Sequence, residues 1–141
     1  MNHLRACPVC GGTLVEETRK VRFTYKDRIL DLDQAGQFCV RCSEGFLSPT
    51  ESRANDNAIR TFHNKVDGLL APQEIRAIRK RLNLTQAEAA IVFGGGPMAF
   101  SKYERGETTH SRALDIVLRL LDSGQISLEA VKSVETEVVA V

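Results

Sequence analysis

Hydrophobic positions change their spacing once along this chain. From Gly11 to Phe38 they come in short runs or alternate with polar residues: Thr13-Leu14-Val15, Val21-Arg22-Phe23-Thr24-Tyr25 and Ile29-Leu30-Asp31-Leu32. Period-two patterning with β-branched and aromatic residues predicts strands. Lys26-Asp27-Arg28 reads as the turn between two of them, so a small antiparallel sheet is expected. Beyond Ser48 the spacing becomes helical. Ser48-Pro49-Thr50-Glu51 has the form of a capping box with proline at the first helical position. Ala54, Ala58, Phe62 and Val66 then recur at every fourth residue and share one face.

Asp67 to Ala71, with Gly68 inside and Pro72 after it, interrupts this helix and reads as a linker. From Pro72 onward the strand signal is gone. Ile75, Ile78 and Leu82 line a first helix, and Thr85-Gln86-Ala87-Glu88 is a second capping box. Ala87, Ala89, Ala90 and Phe93 are expected inside. Gly94-Gly95-Gly96 makes a tight turn, Pro97 to Arg105 a third helix ended by Gly106, and Ala113 to Leu121 a fourth. Ile126 to Val134 suits a short fifth, and the tail to Val141 is apolar. The expected fold class is α+β. Residues 1–66 form a small β-sheet module with a closing helix, 67–71 a linker, and 72–141 an all-α domain of five helices.

Composition allows one ordinary domain or two small ones in 141 residues. Halves this small are marginal on core packing alone. The four cysteines bear on that. They stand as Cys7-Pro8-Val9-Cys10 and Cys39-Val40-Arg41-Cys42, two C-x-x-C pairs separated by 28 residues. Four thiolates in paired knuckles are the complement a tetrahedral zinc ion takes in a closed structural site. A disulfide framework needs a secretory context, whereas Met1 to Ala6 is polar and has no apolar signal core. A redox dithiol needs one C-x-x-C in a βαβ setting, which two matched pairs fit poorly. One structural zinc per chain, held by Cys7, Cys10, Cys39 and Cys42, is therefore expected. No apolar run reaches membrane-spanning length, so a cytoplasmic protein without a membrane partner is expected.

The net charge of +1 does not advertise nucleic-acid binding, but it conceals a local pattern. Arg76, Arg79, Lys80 and Arg81 crowd into six residues, and Lys102, Arg105 and Arg112 follow. Two short helices around a glycine turn suit a helix-turn-helix, whose second helix enters the major groove with its N-terminal residues toward the bases. Those residues are Pro97, Met98, Ser101 and Lys102. Gln86, at the start of the preceding helix, is placed to grip a phosphate, and Arg76, Arg79 and Lys80 are weaker phosphate candidates. A plain helical packing module is the competing reading. No catalytic constellation emerges, since His3, His63 and His110 are scattered, and no enzyme is expected.

Leu84-Thr85-Gln86-Ala87-Glu88-Ala89-Ala90 followed by Ser101-Lys102-Tyr103-Glu104-Arg105-Gly106 resembles the Xre/Cro-like repressors. With the two-knuckle zinc domain ahead of it, the chain from Cys7 to about Leu121 resembles the MqsA family of antitoxins, whose zinc finger is of the YgiT type. That resemblance implies a zinc domain that neutralises an MqsR-like endoribonuclease toxin. It also implies a helix-turn-helix domain that forms a homodimer and represses its own operon at a palindrome of double-stranded DNA. The four cysteines correspond to the family's zinc ligands, and Met98 and Lys102 to its two base-reading positions. Those positions commonly hold Asn and Arg, so the operator sequence is expected to differ. The alternative function is a zinc-containing transcriptional regulator with no toxin partner.

Overall fold

A computed structural model describes residues 5–134. The chain divides into two compact units, Met1–Val66 and Asp67–Val141.

The first unit is a long hairpin with a helix on one face. Strands β1 (Leu14–Tyr25) and β2 (Arg28–Cys39) pair antiparallel from Leu14↔Cys39 to Tyr25↔Arg28. The short strand β3 (Gly45–Phe46) adds to β2, giving the order β1-β2-β3. The turn is tighter than expected. Only Lys26 and Asp27 form it, both left-handed at φ 44° and 65°, and Arg28 already belongs to β2. Two consecutive positive φ values match the right-handed twist of a two-residue hairpin.

The strands also run longer than the apolar runs suggest. Glu16 to Lys20 and Asp33 to Gln37 continue the ladder. Charged residues there do not end pairing, because alternate side chains face water. One face carries Val21, Phe23, Tyr25, Leu30 and Leu32, all half-buried. The other carries Lys20 opposite Asp33 and Arg22 opposite Asp31, the latter pair 2.9 Å apart.

Helix α1 (Pro49–Val66) covers the apolar face. Its capping box is formed: Ser48 N–H donates to Glu51 at 2.9 Å, and Glu51 N–H donates to the Ser48 hydroxyl at 3.1 Å. His63 stacks on Tyr25 with ring centroids 4.1 Å apart, placing the end of α1 near the hairpin tip. Of the expected inward face, Ala58, Phe62 and Val66 are half-buried, whereas Ala54 is exposed. A single helix on a narrow ribbon leaves its flanks open, so only Asn64 of α1 is fully buried.

Among the described residues the second unit has five helices: α2 (Pro72–Arg81), α3 (Gln86–Phe93), α4 (Ala99–Glu104), α5 (Arg112–Asp122) and α6 (Leu128–Lys132). Phe100 is wholly buried at its centre, among Leu70, Ile75, Ile78, Leu84, Ala89, Ala99 and Leu118. Thr85 and Glu88 cap α3 reciprocally at 3.0 and 3.1 Å. Ala87 is exposed, not packed as expected. Two residues rotate a helix by about 200°, which turns Ala87 away when Ala89 faces inward. The third expected helix is shorter than Pro97 to Arg105. Three left-handed glycines, Gly94 to Gly96, lead into Pro97 and Met98, and regular helix begins only at Ala99.

Residues 67–71 go with this second unit. Leu70 is in its core, and its N–H donates to the Asp115 carboxylate at 2.7 Å. Arg119 reaches the Gly68 carbonyl at 2.8 Å, and Arg112 the Asp67 carbonyl at 2.7 Å. The last residues of the apolar tail, 135–141, lie outside the described residues, as does His3.

Candidate functional site

The two C-x-x-C pairs come together. All four sulfurs lie within 4.8 Å of one another. Cys7 and Cys42 Sγ are 3.7 Å apart, and Cys10 and Cys39 Sγ 3.4 Å. A disulfide needs about 2.05 Å. Four thiolates about 2.3 Å from a central zinc stand about 3.8 Å from each other in a tetrahedron, which this cluster matches closely.

Both knuckles are built alike. Cys7 N–H donates to the Gly12 carbonyl and Gly11 N–H to the Cys7 carbonyl, at 2.7 and 2.8 Å. Cys39 N–H donates to the Glu44 carbonyl and Ser43 N–H to the Cys39 carbonyl, at 2.9 and 3.1 Å. Gly11 and Ser43 occupy the same left-handed position, at φ 77° and 65°. Each turn aims backbone N–H groups at sulfur. Val9 N–H donates to Cys7 Sγ and Gly12 N–H to Cys10 Sγ, both at 3.4 Å. Arg41 and Cys42 N–H donate to Cys39 Sγ at 3.3 and 3.5 Å.

These dipoles favour thiolate, but four adjacent anions repel. The Cys42 N–H leads in drawing the Cys39 thiol down to about 6, against the cost of burial and with help from Arg41. At Cys42 the Glu44 N–H favours ionisation, yet burial and the Cys10, Cys39 and Cys7 sulfurs outweigh it and push that thiol up to about 12. Only a cation allows all four to ionise together, so the donor set fits one soft divalent ion.

The hairpin and the knuckles hold each other. The Arg19 guanidinium lies 4.1 Å from the centre of the Phe38 ring and reaches the Ser43 carbonyl at 3.4 Å. Glycine at position 12 is obligatory on space: a Cβ there would stand 2.9 Å from Cys39 Sγ and 3.3 Å from Cys10 Sγ. Gly12→Ala is therefore expected to weaken metal retention at least tenfold in a chelator competition. Wild-type retention in that variant would refute this packing argument.

In the second unit, Pro97, Met98 and Lys102 line one depression of about 320 Å³, together with Gly95, Gly96, Ala99, Tyr103 and Thr108. Met98 is 54% exposed, and Lys102 is exposed one turn later, its N–H bonded to the Met98 carbonyl at 3.0 Å. Ser101 and Gln86 are half-buried and do not line it. Tyr103 and Thr108 were not among the expected site residues. Thr108 follows Gly106 in a loop, where the sequence carries no periodicity to place it.

The basic run on α2 splits. Arg76 and Lys80 are exposed, and Arg81 pairs with Asp122 at 2.7 Å. Arg79 is not a phosphate contact. It is buried, with its guanidinium spent on Glu104 and the Leu84 carbonyl. His110 is also structural: it is buried and 2.8 Å from Asp115.

The sequence profile described as the antitoxin component of bacterial toxin-antitoxin systems, MqsA, matches residues 5–132. Antitoxin MqsA of Escherichia coli strain K12 is 37% identical over 119 residues, which cover 82% of this chain and 91% of that protein. The family match runs through the four cysteines, the hairpin, the glycine turn and α4. The chain belongs to the MqsA family of antitoxins.

Proposed function

We propose that this antitoxin neutralises an MqsR-like endoribonuclease through its first unit and represses its own operon through its second. The four-thiolate cluster carries the first part. It staples a small hairpin module that otherwise lacks a deep core, and zinc is the ion whose geometry it suits. The zinc is structural and one per chain, since all four positions are protein ligands. Strand β1 lies at the edge of its sheet, so Val21 to Tyr25 present backbone groups to which a partner strand can add. The protein acts as a cytoplasmic binding protein and not as an enzyme.

In the second unit α3, the glycine turn and α4 act as a helix-turn-helix. Met98 and Lys102 meet base edges in the major groove with Pro97 and Ser101 beside them toward the bases, and Gln86 grips a phosphate. Methionine packs on a thymine methyl, and lysine donates to guanine or phosphate as a point charge. A homodimer formed through this unit presents two such helices to a palindrome. Lys102→Ala is expected to cost about 1–3 kcal/mol of operator binding if its partner is a base. If the partner is a phosphate, the salt slope falls by about one. Unchanged affinity and unchanged slope would overturn the assignment.

Growth rescue separates the two functions. Residues 1–66 expressed beside a candidate MqsR-like ribonuclease toxin are expected to restore growth. Rescue that requires residues 72–141 would move toxin binding out of the first unit.

A further inference from the structure

At its own N-terminus helix α4 is held by the apolar packing of Ala99 and Phe100 and by no side-chain cap. It is six residues long and follows three left-handed glycines. Its C-terminal end is fastened. Glu104 Oε2 accepts from Arg79 Nε at 2.8 Å, and Oε1 accepts from Nη2 at 2.9 Å. The third arm of the same guanidinium, Nη1, donates to the Leu84 carbonyl at 2.8 Å. Leu84 immediately precedes the cap of α3. One planar fork thus joins α2, the start of α3 and the end of α4. Both side chains are nearly closed to water, at 11% and 4% exposure.

We propose that Arg79 and Glu104 are positioning residues for nucleic-acid recognition, setting the angle at which α4 presents Met98 and Lys102. This rests on the DNA-binding reading above. A bidentate guanidinium–carboxylate pair is directional, unlike apolar packing, and resists rotation of α4 about Phe100. Base readout requires placement within about 0.5 Å and 10–20°. Replacing a buried pair by apolar residues of similar volume often preserves folding, so orientation and stability are separable here.

The test begins with wild-type protein and a pool of randomised DNA duplexes. The selected duplex and a scrambled version then give a discrimination ratio for each variant. Arg79→Met combined with Glu104→Leu is expected to melt cooperatively with native helix content, yet to lose at least tenfold in discrimination. Its salt slope on scrambled duplex stays that of wild type, because the guanidinium does not face phosphate. Arg79→Lys keeps the charge but not the fork, and is expected to lose about three- to tenfold. A folded double variant with discrimination within twofold of wild type overturns the proposal. If the double variant does not fold, undiminished discrimination by Arg79→Lys overturns it. Failure of the wild type to select any duplex defeats the DNA-binding reading and this proposal with it, and that failure shows before any variant is made.

Discussion

Removing the metal is expected to unfold the first unit and leave the second standing. The buried apolar cluster of the first unit, among the described residues, is Cys7, Leu14 and Cys39, with Cys10 and Phe46 against it. Three of those five residues are themselves cysteines of the four-sulfur cluster. Val21, Phe23, Tyr25, Leu30 and Leu32 on the α1 face of the hairpin are only half-buried, and Phe38, close to the second knuckle, is the buried large side chain of that face. Little is left to hold β1 and β2 together without the ion, whereas structural zinc contributes about 10–16 kcal/mol in comparable small domains. Purified protein is expected to carry one zinc per chain by metal analysis. Chelation, or Cys7→Ser, is expected to abolish amide protection in β1, β2 and α1 while residues 72–134 keep theirs. A metal-free chain with the hairpin amides still protected would sink this account.

The second large effect is expected at Asp115, in the other unit. Its side chain is 1% exposed and accepts three hydrogen bonds: from Leu70 N–H at 2.7 Å, His110 Nε2 at 2.8 Å and Arg119 Nε at 2.7 Å. Burial works against the charge, but the bonds from His110, Leu70 and Arg119 outweigh it and hold the carboxyl below its ordinary range. Asp115→Ala leaves His110 and the Leu70 N–H unpaired inside the core. It is expected to cost about 3–5 kcal/mol. For a unit of this size that lowers the melting temperature by about 12 °C or more.

The pH dependence follows from the direction of the shift. A carboxyl depressed in the folded state stabilises above its unfolded pKa of about 3.9, and loses that contribution as pH falls through the folded value. The acid-induced loss of stability of the second unit should therefore be shallower in Asp115→Asn than in wild type. Identical acid profiles for the two, followed by thermal melting between pH 2 and 6, would show that the carboxylate is not the group responsible.

The sequence by itself determined much of this protein. The four-sulfur cluster was legible because paired donors recur at a spacing the backbone turn imposes. Two C-x-x-C pairs were enough to single out Cys7, Cys10, Cys39 and Cys42, whose sulfurs the fold gathers within 4.8 Å. The helix starts at Ser48 and Thr85 were legible because a capping box is a local arrangement within four residues. The core positions Ile75 and Ile78 followed from period.

Tertiary structure decided what depends on a partner distant in the chain. Composition could not tell Arg79 from Arg76, since both are arginines on one helix. Only Glu104, 25 residues away, makes one a buried joint and leaves the other in solvent. Asp67 to Leu70 looked like a tether because of Gly68, yet the Asp115, Arg112 and Arg119 side chains bind it to α5. Strand length escaped the pattern for a related reason. Glu16 to Lys20 carries no alternation of its own, and is strand because Asp33 to Gln37 lies opposite it. Local signals report what a segment can form alone. Ion pairs and ladders are chosen by which segments the fold brings together.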